Sequence, residues 1–274
     1  MDTAFEVLSR VLSIFLTVIT AITGAAESFA GERYECVSKE ETVLVDAWFR
    51  SQDVTTDGEN WYYSCKTSLE KTTIDGERVA MNLDAIPQQL KEIGIAHIGG
   101  ISYYDGKIYA GLEDSKVWNY PMVGIYDAET LEIIDWFYIS TEHMTRGCPW
   151  VAVDGERGLI YFAECKVSTC LVAYDLYTHE FVKTIPMSQE VTVIQGGEVC
   201  GDVLYVATND ETQSVWSINV VSGETTKLFD RELTWPGEGE GITVLETEDG
   251  AFLHALDVGA LFINTYLRHY ALPA

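Results

Sequence analysis

Asp105-Gly106-Lys107-Ile108-Tyr109-Ala110 joins a two-residue turn signal to an apolar, aromatic-bearing strand, and the same pairing occurs five times along the chain. The turns are Asp57-Gly58, Asp105-Gly106, Asp154-Gly155, Gly201-Asp202 and Asp249-Gly250, spaced 48, 49, 47 and 48 residues apart. Behind the other four come Trp61-Tyr62-Tyr63, Leu159-Ile160-Tyr161-Phe162, Val203-Leu204-Tyr205-Val206 and Ala251-Phe252-Leu253-His254. Gly accepts positive φ, and Asp bonds its own backbone, so both punctuate strands.

Each unit holds further strands. A second one ends in its own turn signal, as in Tyr126-Asp127-Ala128-Glu129-Thr130, Tyr174-Asp175-Leu176-Tyr177-Thr178 and Val215-Trp216-Ser217-Ile218-Asn219. A third follows at 133–139, 181–185 and 225–229. With the strand ahead of each Asp/Gly turn, that makes four strands per unit of about 48 residues, the pattern of a β-propeller blade. A β-sandwich with regularly spaced turns is the competing arrangement. The 240 residues from Glu35 to Ala274 hold five such units and no sixth. The expectation is an all-β, five-bladed propeller with blades at about 49–94, 95–140, 141–188, 189–233 and 234–274. The last unit is one strand short, so residues 41–48 are expected to pair onto it and close the ring, removing exposed edges.

Residues 11–26 form an uncharged apolar run of 16 residues, short for a spanning helix and suited to the core of a secretory signal. Ser28-Phe29-Ala30 before Gly31 offers a small-x-small cleavage site, but Asp2 and Glu6 against a single Arg10 are unlike the basic start of a signal. Residues 1–30 are therefore expected to be a signal peptide or an uncleaved anchor, with the propeller secreted or otherwise extracytoplasmic. The six cysteines, Cys36, Cys65, Cys148, Cys165, Cys170 and Cys200, agree with export. They allow 15 pairings. Cys165 and Cys170, flanking an expected hairpin in the third blade, are the favoured bridge. No Cys-x-x-Cys spacing suggests a metal site.

Seventeen basic residues face 43 acidic ones, a net charge of −26. Nucleic acid is excluded as a partner, because a polyanion needs clustered Lys and Arg. The expected partners are a small molecule, a carbohydrate or a protein ligand, with membrane contact only through an uncleaved N-terminal segment.

The strand ahead of each turn is the innermost of its blade and lines the axis. Near the start of each lies one polar residue: Gln52, His97, Arg146, Gln195 and Glu240, separated by 45, 49, 49 and 45 residues. Equivalent positions in a ring face one axial volume, so these five and Glu238 form the candidate ligand-binding set. Arg146 is expected to pair with Glu238 or Glu240 and to lower that carboxylate's pKa. Trp150 and Trp235, near the same mouth, read as inter-blade packing. Glu238 and Glu240 suit a divalent cation such as calcium, and His97 with both suits a transition metal. An enzyme using the Glu/His/Arg cluster for acid–base chemistry (a hydrolase, lyase or cyclotransferase) is the alternative to a binding domain. There is no Gly-x-Ser-x-Gly nucleophile motif and no phosphate-binding glycine loop.

Gln52-Asp53-Val54-Thr55-Thr56-Asp57-Gly58, His97-Ile98-Gly99-Gly100-Ile101, Tyr126-Asp127-Ala128-Glu129-Thr130-Leu131 and Gly239-Glu240-Gly241-Ile242 resemble blade motifs of extracytoplasmic propellers. That class includes the quinoprotein-like and surface-layer-like repeat proteins. The resemblance covers residues 42–272 and implies blades, not an activity. Gln52-Asp53-Val54 is also similar to the Gln-Gly-Leu opening strand of plant-type glutaminyl cyclotransferases. Asp53 ahead of Asp57-Gly58-x-x-x-Tyr62-Tyr63 is similar to the first motif of five-bladed arabinanase-type glycosidases, though the neighbouring Asp-Pro is missing. No specific enzyme family is assigned by these motifs.

Overall fold

A computed structural model describes residues 34–114, 118–231, 233, 237–248 and 250–272. The expected signal or anchor segment, Asp249 and Trp235 lie outside the described residues. Among those described, no helix is long and apolar enough to cross a membrane.

Twenty strands form five antiparallel four-stranded sheets. Blade 1 is β2 (Asp53–Thr56), β3 (Asn60–Cys65), β4 (Ser68–Thr73) and β5 (Arg78–Asn82). Blade 2 is β6 (His97–Tyr104), β7 (Lys107–Glu113), β8 (Met122–Asp127) and β9 (Ile133–Tyr138). Blade 3 is β10 (Ala152–Asp154), β11 (Leu159–Phe162), β12 (Val167–Asp175) and β13 (Phe181–Thr192). Blade 4 is β14 (Ile194–Cys200), β15 (Val203–Thr208), β16 (Ser214–Asn219) and β17 (Thr225–Asp230). Blade 5 is β18 (Glu238–Val244), β19 (Ala251–Val258) and β20 (Asn264–Ala271), completed by β1 (Cys36–Val43) from the other end of the sequence. The five inner strands contact one another in a closed circuit, β2 to β6, β10, β14, β18 and back to β2. The protein is a five-bladed propeller.

The turn chemistry accounts for the punctuation. Asp57 Oδ1 accepts from the backbone N–H of Glu59 and Asn60 at 2.8 and 2.6 Å. Asp127 and Asp175 end the third strands of their blades in the same way, each accepting from the N–H groups two and three residues on. Asn219 takes that place in blade 4. In blade 3 the left-handed residue of the inner turn is Gly158 (φ 65°), while Gly155 keeps negative φ, so that turn is the longer one.

The apolar residues do not gather at the centre. They form five wedges, one between each pair of neighbouring blades. Tyr62, Leu69, Ile101 and Ile108 belong to the wedge between blades 1 and 2, and Val54, Trp61, Leu256 and Leu267 to the one between blades 5 and 1. A blade buries both faces this way, which explains why the strands read as nearly continuous apolar runs.

Two expectations need correction. An N-terminal strand closes the ring as expected, but it is Cys36–Val43, registered from Cys36 opposite Tyr270 to Val43 opposite Asn264, so that of the expected 41–48 only 41–43 pair. Residues Val45–Phe49 instead form one helical turn that carries the chain inward from the outermost strand to the axis. Arg50 locks that passage through a two-pronged ion pair, Nε and Nη2 to the buried Glu70 at 2.9 and 3.0 Å. The second correction concerns the cysteines: all six are free thiols. Cys165 lies in the β11–β12 connection and Cys170 well inside β12. They follow one another along an extending chain, which rises about 3.3 Å per residue, instead of facing across a hairpin.

Removing β1 leaves blade 5 three-stranded and takes away the strand that ties it through the chain to blade 1, so that the wedge and the inner-strand contacts alone hold the two blades together. Deleting residues 36–43 is expected to replace one cooperative urea transition, followed by far-UV circular dichroism, with a broad multistep loss. A single sharp transition in that deletion contradicts closure by β1.

Candidate functional site: the axial mouth

The inner strands all begin on one face, and four of the candidate residues meet there. Gln52 immediately precedes β2, and its amide nitrogen donates to the Ser51 carbonyl at 2.8 Å. Its Oε1 is thereby turned toward His97 Nε2, 2.7 Å away, so this ring nitrogen carries the hydrogen. His97 Nδ1 faces Glu113 Oε1 at 3.4 Å. Across the ring, Gln195 Nε2 donates to Glu240 Oε2 at 3.3 Å. The Gly241 N–H donates to the Gln52 carbonyl at 3.2 Å, tying the two halves together.

Glu240 is 2 % exposed, and its Oε1 has no hydrogen-bond partner among the described residues. Burial pushes its carboxyl well above the usual carboxylate range, and Glu238 and Asp53 push it further, against the opposing Arg231 charge. Burial of this kind favours the neutral, hydrogen-donating form of the acid. Glu238, the first residue of β18, is half-buried beside it.

Arg146 is exposed and forms neither of the ion pairs expected with Glu238 and Glu240. The expected lowering of the Glu240 pKa is therefore reversed. The reason is local: in blade 3 the inner strand starts only at Ala152, six residues after Arg146, and Cys148, Pro149 and Trp150 line the approach instead. The buried cation near Glu240 is Arg231. Its guanidinium donates to the carbonyls of Gln213, Leu256 and Thr208 at 2.8, 2.9 and 3.1 Å. Trp150 is completely buried in the wedge between blades 3 and 4, as expected, but its Nε1 has no partner among the described residues.

Among the described residues, no three His, Cys, Asp or Glu side chains converge as a metal-binding group. His97, Glu238 and Glu240 are thus not brought together as a ligand set. His97 is turned to Gln52 and Glu113, whereas Glu240 is paired with Gln195.

Beneath the mouth lies a second polar layer that the sequence reading missed. The carboxyl of Glu198 (β14) accepts from Thr55 Oγ1 at 2.9 Å, Ser102 Oγ at 3.0 Å and Thr243 Oγ1 at 3.4 Å. Ser102 Oγ in turn accepts from the Val153 N–H at 3.1 Å, so one carboxyl gathers groups from all five blades. A signal existed: Thr55, Glu198 and Thr243 each follow a candidate residue by three positions. Blade 2 breaks the rule because its inner strand is irregular between Ile98 and Ile101.

No family model matches this chain, and no curated protein sequence matches it. Among solved structures it is similar to the glutaminyl cyclase of Myxococcus xanthus, with a TM-score of 0.59 and 13% identity over 88% of this chain and 98% of that one. A chain of a nidogen/laminin complex aligns at a TM-score of 0.49 and 12% identity, over 69% of this chain and 66% of that one. At such identities the likeness is one of fold, and the protein stands among the β-propellers.

The Glu198 carboxyl is raised from the usual 4.5 to about 7, because burial outweighs its three hydroxyl donors. Its proton is favoured in the folded state, so this stabilisation is complete below about pH 4.5 and is lost as pH rises through about 7. For a shift of this size the loss is roughly 3 kcal/mol. Urea unfolding should therefore show lower stability at pH 8 than at pH 5, with a shallower dependence in Glu198→Gln. Asp53 and Glu240, shifted in the same direction, leave a residual slope of the same sign. An identical slope in wild type and Glu198→Gln counts against this assignment.

Proposed function

We propose that the axial mouth binds an uncharged polar ligand, such as a carbohydrate hydroxyl or an amide, and that the protein acts as a ligand-binding propeller domain. The observation that carries this reading is Glu240: a buried carboxyl with one oxygen on Gln195 and the other unpartnered among the described residues. An unpartnered buried polar group costs about 1–3 kcal/mol, which a ligand contact offsets. A neutral carboxyl both donates and accepts, as do the Gln52 and Gln195 amides beside it. The cation beside Glu240, Arg231, is engaged by three carbonyls.

A second reading is favoured by the same carboxyl. A protonated, buried glutamate is suited to general acid–base work, and the fold likeness to a glutaminyl cyclase directs the enzyme alternative to cyclotransfer. Here Glu240 passes the proton, and His97, held by Gln52, orients the substrate.

Export remains part of the proposal and rests on residues 11–26, because the thiols are unpaired. β1 enters its sheet at Cys36, beside Tyr270, at the end away from the mouth. An N-terminal anchor then leaves the mouth facing away from the membrane.

The two readings separate on Glu240 variants. Thermal melts of wild type with a panel of neutral saccharides and amides should reveal a ligand that raises the melting temperature. The gain should vanish in Glu240→Ala and His97→Ala. A ligand that stabilises all three equally binds elsewhere and removes the axial assignment. If the protein is a cyclotransferase, a peptide with N-terminal glutamine releases ammonia in its presence. Glu240→Gln should then lose at least about a hundredfold in kcat, in the range expected for a general acid–base group, with KM little changed.

A further inference from the structure

Between the mouth layer and Glu198 the axis is filled by one side chain, Asp53. It is completely buried. Its Oδ1 accepts from its neighbour's N–H (Val54) at 2.8 Å and its Oδ2 from the Ile101 N–H at 2.7 Å, and the Ile242 N–H also acts on the carboxyl, favouring its anion. These donors belong to the inner strands of blades 1, 2 and 5. Two of them are free to point inward for the same reason. The β6–β7 ladder is irregular between Ile98 and Ile101, and the β18–β19 ladder between Gly239 and Ile242. Each irregularity ends at the residue whose N–H turns to Asp53, as expected where a bulge leaves a backbone group unpaired.

The surrounding strands also make room. At this level blades 2, 4 and 5 carry Gly100, Gly196 and Gly241. A Cβ on Gly241 would lie 1.3 Å from Asp53 Oδ1, one on Gly196 2.7 Å from Oδ2, and one on Gly100 2.9 Å from Oδ2. Three blades have given up their side chains around a single carboxyl, and three backbone donors converge on it. Other charged or titratable groups along the axis are Glu198 below and Glu240 above, with Arg231 behind Glu240.

We propose that the propeller axis is an anion nest built from the inner-strand N–H groups of blades 1, 2 and 5, and that Asp53 is its built-in ligand. The side chain seals the axis under the mouth, so the mouth is a closed cup, not the entrance of a through channel. It also pins blade 1, the first to follow the closing strand, onto blades 2 and 5. Deleting the carboxyl leaves a nest of the size and donor pattern of a small carboxylate, and formate is the occupant that fits it. This inference is independent of the mouth ligand, because it concerns the floor and not Glu240.

The test is chemical rescue, read by urea unfolding of the full chain. Asp53→Ala is expected to be less stable than wild type and to regain stability saturably with added formate, but not with chloride at equal ionic strength. Asp53→Asn keeps the shape yet turns an amide N–H toward backbone N–H groups. It is expected to lower the folding equilibrium constant by roughly ten- to hundredfold and to ignore formate. The proposal is overturned if Asp53→Asn is as stable as wild type, or if formate acts equally on wild type and both variants. If Asp53→Ala is recovered only unfolded, its refolding yield in formate against chloride reads the same quantity, and equal yields overturn the proposal.

Discussion

Five inner strands that converge on one axis bring backbone polar groups into a volume from which water is largely excluded, and every such group must find a partner. That constraint organises the protein. Asp53 takes N–H groups freed by two ladder irregularities. Glu198 takes hydroxyls from blades 1, 2 and 5, and blade 3 joins through Ser102. The apolar residues are correspondingly displaced into five wedges between blades. A propeller is thus inverted relative to a layered domain, with its polar groups inside and its oil in spokes.

The inversion has electrostatic consequences. Three carboxyls, Glu240, Asp53 and Glu198, follow one another down the axis, and burial raises all three. They are a different population from the many surface acids. Asp57, Asp127 and Asp175 cap turns, and hydrogen bonds to neighbouring N–H and hydroxyl groups hold their carboxyls below the usual range. One sequence, rich in acids throughout, therefore contains acceptors that stabilise turns as anions, axial glutamates whose protons burial favours, and in Asp53 a buried acid that backbone N–H donors draw back toward its anion. The distinction lies in desolvation, not in residue type.

The axial set shows how such a reading succeeds and fails. Blade spacing singles out Gln52, His97, Gln195 and Glu240, and the structure pairs Gln52 with His97 and Gln195 with Glu240 at the start of the inner strands. Arg146 has the same spacing but lies six residues before its inner strand, so periodicity alone misplaced it. Asp53 drew notice only through a faint motif likeness, although it fills the axis. Its role depends on three glycines and two ladder irregularities in other blades, none of them near it in sequence. Cys165 and Cys170 failed as a pair for a related reason: nearness along the chain says nothing of nearness in space once the chain is extended.

The sequence by itself determined the blade count, the four-strand unit, the position of the inner strands and the need for a closing strand. Those features follow from turn chemistry and strand alternation, which act over a few residues and repeat at a fixed interval. Only the tertiary structure decided that β1 is Cys36–Val43, that Arg231 and not Arg146 stands behind Glu240, and that Asp53 and Glu198 occupy the axis. These depend on where side chains from blades 45 to 143 residues apart come to rest, and on how deeply each is buried there. Local pattern marks apolar faces but does not say how deeply a given carboxyl is buried, and burial is what separates a surface glutamate from one that favours its proton.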